Sequence, residues 1–223
     1  MMHLAASAID PERLYIFTID HGLRPEAADE IAQVAAQASR LGLKHIVAQW
    51  QWDGTGNLQA VARAGRWATL RALAAEYKVG SVWMGHTQDD QIETFMMRLA
   101  RGSGVDGLTA MQASTQRDGL TIFRPLLEMT RADLRAWLTF QDIRWCDDPS
   151  NEDARFDRVR ARQMFAELSD LGLTAKRVLQ TIDHMQAARE TLQQAARDFA
   201  KRNIRQVSGD LLISSEALML QKA

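Results

Sequence analysis

The first half of the chain alternates between two hydrophobic periodicities. Short apolar runs rich in β-forming residues predict strands over residues 14–20, 44–52 and 79–86. Apolar residues that recur every three or four positions predict helices over residues 24–42, 57–78 and 89–102. Strands that alternate with helices in this way predict a doubly wound, parallel α/β sheet, because right-handed crossovers place helices on both faces.

The second half of the chain is richer in helices. An Asp-Gly turn within residues 117–127 predicts a short extended segment, and Thr130 with Asp133 predicts a capped helix over residues 130–141. Further helices are predicted over residues 155–172 and 174–202.

This change of pattern predicts three parts: an α/β domain over residues 1–145, a helical extension over residues 146–203, and the start of a further segment over residues 204–223. Within the last part, residues 209–223 are expected to start a strand-helix unit. One face of the helix predicted over residues 174–202 carries an apolar stripe. We expect the stripe to dock on the core or on a second copy of the chain, as in a homodimer. The stripe includes Val178, Ile182, Met185 and Leu192.

Composition narrows the class of protein. No apolar run approaches the roughly 20 residues that span a bilayer, which predicts a cytoplasmic protein without a membrane partner. A net charge of -1 does not indicate a general nucleic-acid binder, although local basic patches can still bind phosphate. The single cysteine, Cys146, argues against a disulfide framework or a paired-thiol site and is expected to be a buried or half-buried, inert thiol.

The stretch GHTQDDQIETFMMRLARGSGVDGL, residues 85–108, concentrates the candidate chemistry. It follows a predicted strand, and ligands of parallel sheets bind outside the carboxyl ends of the strands. Asp90 and Glu93 are three residues apart, so they project from one face near a helix N-terminus, where they could hold a divalent cation or an ammonium group. The alternative is that acids at this position only interact with the helix dipole.

Other residues near the predicted strand ends leave two interpretations open. His86 could contact a phosphate, but a strand-end histidine with ordinary hydrogen bonds is favoured over a metal ligand. Arg66 is by default a solvated residue, although an arginine that reaches a cleft is the usual phosphate clamp. The Gly-Ser-Gly segment 102–104 could bind an anion or simply end a helix as a C-cap.

Five blocks of sequence, in this order and spacing, resemble the tRNA(Ile)-lysidine synthetases of the N-type ATP pyrophosphatase superfamily. The blocks are DHGLRPEAADE, ARAGRW, GHTQDDQIETFMMRLARGSGVDGL, FRPLL and DDPSNEDARFDRVRAR, and they cover about residues 14–165. The resemblance implies an adenine nucleotide alpha hydrolase-like fold. It also implies a reaction in which ATP, with Mg²⁺, adenylates the wobble cytidine of an isoleucine tRNA with a CAU anticodon. Free lysine then displaces AMP, which leaves lysidine, AMP and pyrophosphate as products.

The resemblance implies roles for individual residues. Asp90 and Glu93 match the acids that hold the ammonium group of lysine, and Arg66 matches an arginine expected to stabilise charge on the ATP α-phosphate. No residue is assigned to the metal. The positions expected at the nucleotide site are Asp20, His21, Arg66, His86 and Asp89.

A basic run near the end of the resemblance implies contact with tRNA phosphates. It departs from the family pattern, because Val159 and Ala161 stand where asparagine and isoleucine are usual. The arginines of the run are Arg158, Arg160 and Arg162.

One block of the superfamily, the pyrophosphate-binding loop SGGxDS, does not occur in this sequence. Residues 1–10 resemble the end of the helix that follows that loop, so we expect a catalytic core that is trimmed at both ends and inactive by itself. Two alternatives remain: a degenerate, non-catalytic nucleotide- or tRNA-binding module, and another N-type pyrophosphatase that acts on tRNA. Among the latter, tRNA cytidine thiolases are the nearest, but this sequence lacks their paired cysteines.

Overall fold

A computed structural model of the protein describes residues 1–20, 22, 27–52, 54–55, 58–146 and 155–216. Within these residues the chain forms two compact units. The first unit comprises Met1–Gln88 and Ala113–Asp148, and the second comprises Asp89–Gln112 and Pro149–Ala223. The domain boundaries expected from the sequence at residues 145 and 203 stay a prediction.

The predicted helices and strands occur in the predicted order, with bounds that differ by a few residues. A short 3-10 turn at Pro11–Arg13 precedes the first strand. In chain order the elements are α1 (Met2–Ala8), β1 (Tyr15–Asp20), α2 (Ala27–Arg40), β2 (Lys44–Gln49), α3 (Leu58–Glu76), β3 (Ser81–Trp83), α4 (Gln88–Ala100), α5 (Val105–Leu108), β4 (Ser114–Arg117), β5 (Leu120–Phe123), α6 (Arg131–Phe140), α7 (Asp157–Asp170), α8 (Ala175–Asn203), β6 (Ile204–Val207) and β7 (Asp210–Ile213). Of these, α5, β4 and β6 are additional elements that the sequence pattern does not predict.

Parallel strand pairing confirms the predicted α/β class. β1 pairs with β2 in parallel along its whole length, and β3 pairs in parallel with β5, which also pairs with β4 in the antiparallel direction. In the described part of the chain, the two parallel pairs belong to separate hydrogen-bonded ladders instead of one continuous sheet. The long C-terminal helix predicted to follow the α/β part is α8.

Two local predictions are confirmed at single residues. The β4–β5 hairpin turns at Asp118 and Gly119, whose φ angles of 49° and 81° are those of a two-residue turn with both central residues in the left-handed region. At the start of α6, the Thr130 side chain accepts from the backbone N–H of Asp133, and the Asp133 carboxylate accepts from the backbone N–H of Thr130. This reciprocal capping box fixes where α6 begins.

A small apolar core holds α3 against β3 and β5 in the first unit. Its buried members are Leu70, Ala74, Val82 and Leu120. Near the other end of α3, a Cβ at Gly65 would overlap the indole ring of Trp50. Glycine at this position of the ARAGRW block therefore lets Trp50, which follows β2, lie against the helix.

The core of the second unit packs α4 and α7 against the first half of α8. Its buried members are Ile92, Phe95, Met96, Ala110, Ala161, Val178 and Ile182. The predicted stripe on α8 is confirmed at Val178 and Ile182, but Leu192 is 59% exposed. At 1.5 Å per residue, the 29 residues of α8 span about 44 Å whereas the 13 of α4 span about 20 Å, so α8 extends beyond this partner.

Three further observations complete the fold. The C-terminal segment forms a β6–β7 hairpin, of which the sequence pattern predicts only the second strand.

The prediction that Cys146 is buried or half-buried is wrong. Its thiol is exposed, and its Sγ lies 2.6 Å from Oε1 of Gln33, an acceptor on α2 that the sequence pattern does not reveal. None of the described helices combines the length and the hydropathy needed to cross a membrane.

Candidate functional site

The first turns of α4 bury two carboxylates. Asp89 and Asp90 lie in the first turn, and Glu93 follows Asp90 by three residues, so Asp90 and Glu93 share one face of the helix. Only 10% of the Asp90 side chain and 3% of the Glu93 side chain are exposed. Burial of an unpaired charge is costly, so carboxylates in this position require cationic partners.

Two arginines of α7 provide those partners. Arg158 Nη1 lies 3.3 Å from Oδ1 of Asp90. Arg162 donates to Oε1 of Glu93 from both Nε, at 3.0 Å, and Nη2, at 2.8 Å. Because Arg158 and Arg162 are four residues apart on α7, they present one face of that helix to the acids of α4. The structure thus brings the two acids, which the resemblance assigns to lysine, into contact with two arginines that it assigns to tRNA phosphates.

The remaining residues of the basic run serve other contacts. Arg160 pairs with Asp157 on its own helix, and Arg101, beyond the end of α4, also binds Asp157 at 2.8 Å. Val159 and Ala161, the two departures from the family pattern, are buried, and Ala161 belongs to the core of the second unit. Apolar residues at these positions therefore pack α7 into this unit.

The Gly-Ser-Gly segment ends α4. The φ angle of Gly102 is 69°, in the left-handed region, and the backbone N–H groups of Gly102 and Ser103 donate to the carbonyls of Leu99 and Arg98. These N–H groups are used within the C-cap, which favours that interpretation over an anion site. The Arg98 side chain then donates to the carbonyls of Gly107 at 2.7 Å and Ala110 at 2.9 Å.

Sequence reasoning misses two residues that fix the segment after α4. The Gln91 amide donates to the carbonyl of Met111 and accepts from its backbone N–H, both at 2.8 Å. Arg189 of α8 donates to Oγ1 of the buried Thr109 at 3.2 Å. Their partners lie 20 and 80 residues away along the chain, and no local periodicity reveals contacts of that kind.

The other candidate residues lie mainly in the first unit. Asp20 ends β1, and its carboxylate accepts from the backbone N–H of Gly22 at 2.8 Å. Arg66 is exposed on α3, and His86, in the segment of chain that connects β3 to α4, is partly buried. His21 lies outside the described residues, as do residues 147–154 of the last resembling block.

The structure assigns no ligands to a magnesium ion. Within the described residues, no three histidine, cysteine, aspartate or glutamate side chains are grouped so that they could hold a metal ion.

A comparison with known protein families shows which family contains these acids and arginines. A family model described as a PP-loop domain matches residues 1–169, about three quarters of the chain. The chain belongs to the PP-loop domain family. The buried acids of α4 and the arginines of α7 both lie within the PP-loop match, and membership supports the use of ATP.

Curated relatives of this PP-loop chain carry the name tRNA(Ile)-lysidine synthase. The relative from Ruegeria pomeroyi is 44% identical over 220 residues, which is 96% of this chain and 52% of the relative. The relative from Rhodopseudomonas palustris is 44% identical over 165 residues, 73% of this chain and 47% of the relative. The chain thus spans about half the length of the curated relatives it matches. The resemblance drawn from the five blocks is confirmed, and a degenerate binding module is not favoured.

A solved structure shows the same fold. The U34-tRNA thiolase NcsA from Methanococcus maripaludis, determined with its 4Fe-4S cluster, matches 79% of this chain and 62% of its own with a TM-score of 0.64. Its sequence identity is 14%, so the likeness concerns the fold alone.

Proposed function

We propose that the protein modifies the wobble cytidine of an isoleucine tRNA with a CAU anticodon and converts it to lysidine at the expense of ATP. The observation that carries the proposal is the buried pair Asp90 and Glu93, which lies in the sequence block shared with the lysidine synthetases. The 44% identity to a tRNA(Ile)-lysidine synthase over nearly the whole chain supports it.

The first step activates the base. The C2 oxygen of cytidine attacks the α-phosphorus of ATP, and pyrophosphate leaves with the electrons of the broken phosphoanhydride bond. Negative charge grows on the α-phosphoryl oxygens, and a guanidinium aimed at them stabilises the transition state. We assign this role to Arg66. We place Asp20, His21, His86 and Asp89 around the nucleotide. Mg²⁺ would accompany the phosphates of ATP, and no residue is assigned to bind it.

The second step adds the amino acid. The ε-amine of free lysine attacks C2, and AMP leaves with the former C2 oxygen. Lysine arrives as an ammonium ion, since its ordinary pKa is about 10.4, and it must lose a proton before it can attack. Asp90 and Glu93 attract the ammonium form and hold the side chain of the lysine substrate in place. Because both carboxylates are buried, the attraction is stronger than in water. Arg158, Arg160 and Arg162 contribute contacts with tRNA phosphates.

The proposed chemistry is tested with the full-length protein, ATP, Mg²⁺, lysine and an isoleucine tRNA transcript. Mass spectrometry of the digested tRNA should show lysidine in place of the wobble cytidine, only when both ATP and lysine are present. A tRNA that remains unmodified, with a protein that is folded and binds ATP, would refute the proposal.

Arg66→Ala separates the two steps. Loss of a donor to the α-phosphate should slow tRNA-dependent ATP–pyrophosphate exchange on the order of 10²-fold. The KM for lysine should change little, because Arg66 is assigned to the nucleotide and the acid pair to lysine. The matched control is Arg63→Ala, an exposed arginine one turn earlier on α3, which should leave the exchange rate within about twofold of wild type. Equal effects of the two substitutions would remove Arg66 from this role.

A further inference from the structure

The acid pair proposed for lysine already holds two cations of the protein itself. In both ion pairs a carboxylate of α4 meets a guanidinium of α7: Asp90 with Arg158 at 3.3 Å, and Glu93 with Arg162 at 2.8 Å. Both helices belong to the second unit. A guanidinium and an ammonium group satisfy a buried carboxylate by the same charge-assisted hydrogen bonds, so the arginines and the lysine substrate compete for the same oxygens.

The two sides of these ion pairs differ in their access to solvent. The carboxylates are 10% and 3% exposed, whereas the side chains of Arg158 and Arg162 are 40% and 42% exposed. An anion in solution can therefore reach the guanidinium groups without entry into the core. Arginine binds phosphate with the same bidentate geometry that it uses for carboxylate.

Two further exposed arginines lie on or near α7 and share one acidic partner. Arg160 lies between the two arginines in sequence, and Arg101 and Arg160 both bind the exposed Asp157. Phosphate groups of RNA that contact Arg158 and Arg162 would meet two guanidinium groups on one face of α7, and each contact would release counterions and favour binding.

We propose that Arg158 and Arg162 occupy the acid pair until the phosphate backbone of bound tRNA draws them away, so that lysine enters the site after the tRNA. This inference rests on the proposed function and adds an order of binding to it. Buried carboxylates do not remain unpaired, so the lysine ammonium replaces a departing guanidinium instead of joining it. This competition would exclude lysine from the acid pair while no tRNA base is present to accept it.

Competition of this kind lowers the apparent affinity for lysine. If the arginines leave the acids for one hundredth of the time, lysine binds about one hundredfold more weakly than to a free acid pair. Bound tRNA removes that penalty. Since coupling between two ligands is reciprocal, lysine must strengthen the binding of tRNA by the same factor.

Calorimetric titration of lysine into the full-length protein, without ATP so that no reaction occurs, tests the inference. In the wild-type protein, saturation with the tRNA transcript should tighten lysine binding at least tenfold. Arg162→Gln should bind lysine without tRNA about as tightly as the wild-type protein does with tRNA, and tRNA should add little. Arg162→Lys keeps a cation on Glu93 and should retain most of the coupling. Arg197→Gln removes an exposed arginine of the same unit that contacts Gln194 on α8, and should behave as wild type.

The outcomes separate this inference from the function on which it rests. If lysidine forms but tRNA leaves the lysine Kd unchanged, or if Arg162→Gln weakens lysine binding or preserves the coupling, the inference is overturned while the function stands. If neither lysine binding nor lysidine is observed, both fail. Should Arg162→Gln not fold, Arg158→Gln and the reciprocal effect of lysine on tRNA affinity in the wild-type protein decide the question.

Discussion

At the scale of single residues, Glu93 is the most constrained group of the candidate site. Its side chain is 3% exposed and accepts two N–H groups of Arg162 on one oxygen. Loss of one partner of a buried ion pair leaves an uncompensated charge, which costs about 3–5 kcal/mol, whereas exposed pairs contribute about 0–1 kcal/mol.

Arg162→Met should therefore lower the free energy of unfolding by an amount near the lower end of that range, since the guanidinium is 42% exposed. Arg101→Met is the matched control, because its pair with Asp157 is exposed on both sides, at 67% and 49%, and its loss should cost less than about 1 kcal/mol. Urea denaturation measures both. Equal costs would show that the Arg162 pair behaves as a surface ion pair.

The acids are predictable from the sequence and their partners are not. Asp90 and Glu93 are three residues apart, so helical periodicity alone places them on one face. Arg158 and Arg162 reach them across 68 and 69 residues of chain, and only tertiary packing of α7 on α4 defines that contact. The same limit explains why the sequence predicts the arginines only as phosphate ligands.

At the scale of elements, local signals are sufficient for the start of α6 and for the hairpin turn. The Thr130 cap and the Asp118-Gly119 turn depend on residues within three positions of each other, and both are present. Pairing of β3 with β5 depends on residues about 40 positions apart, so the sequence indicates parallel strands without their partners.

The capping box of α6 predicts a pH effect. Hydrogen bonds from the Thr130 hydroxyl and backbone lower the pKa of the Asp133 carboxyl below its ordinary value. A lowered folded-state pKa contributes stability that is present above the unfolded pKa of about 3.8 and is lost as the pH falls through the folded value. Thr130→Ala removes a donor, so the pKa of Asp133 should rise toward its ordinary value in an NMR titration. An unchanged pKa would show that the hydroxyl does not set it.

Close packing on α3 predicts an effect of one methyl group. In Gly65→Ala the added Cβ overlaps the Trp50 indole, so the ring or the helix must shift, and overpacking of this kind costs about 1–3 kcal/mol. Gly80→Ala, at a glycine with open space around its Cβ, should change stability by less than about 0.5 kcal/mol. Thermal unfolding compares the two variants, and a Gly65→Ala protein as stable as Gly80→Ala would contradict the packing described here.

At the scale of the whole molecule, the chain is a PP-loop domain in which the α4 acids belong to one compact unit and Arg66 to the other. The central proposal is that Asp90 and Glu93 bind lysine, whereas Arg66 in the first unit acts on the α-phosphate of ATP. That division predicts separable defects: damage to the acids should affect the second chemical step, and damage to Arg66 the first.

The most direct measurement is the KM for lysine in labelled-lysine incorporation into the isoleucine tRNA transcript, with tRNA-dependent ATP–pyrophosphate exchange measured in parallel on the full-length protein. Glu93→Gln keeps the size of the side chain and removes its charge, so we expect a lysine KM at least tenfold higher with exchange near the wild-type rate. Glu167→Gln, at an exposed acid of α7, should match wild type in both assays. An unchanged lysine KM in folded Glu93→Gln, or a loss of exchange as large as the loss of incorporation, would contradict the claim.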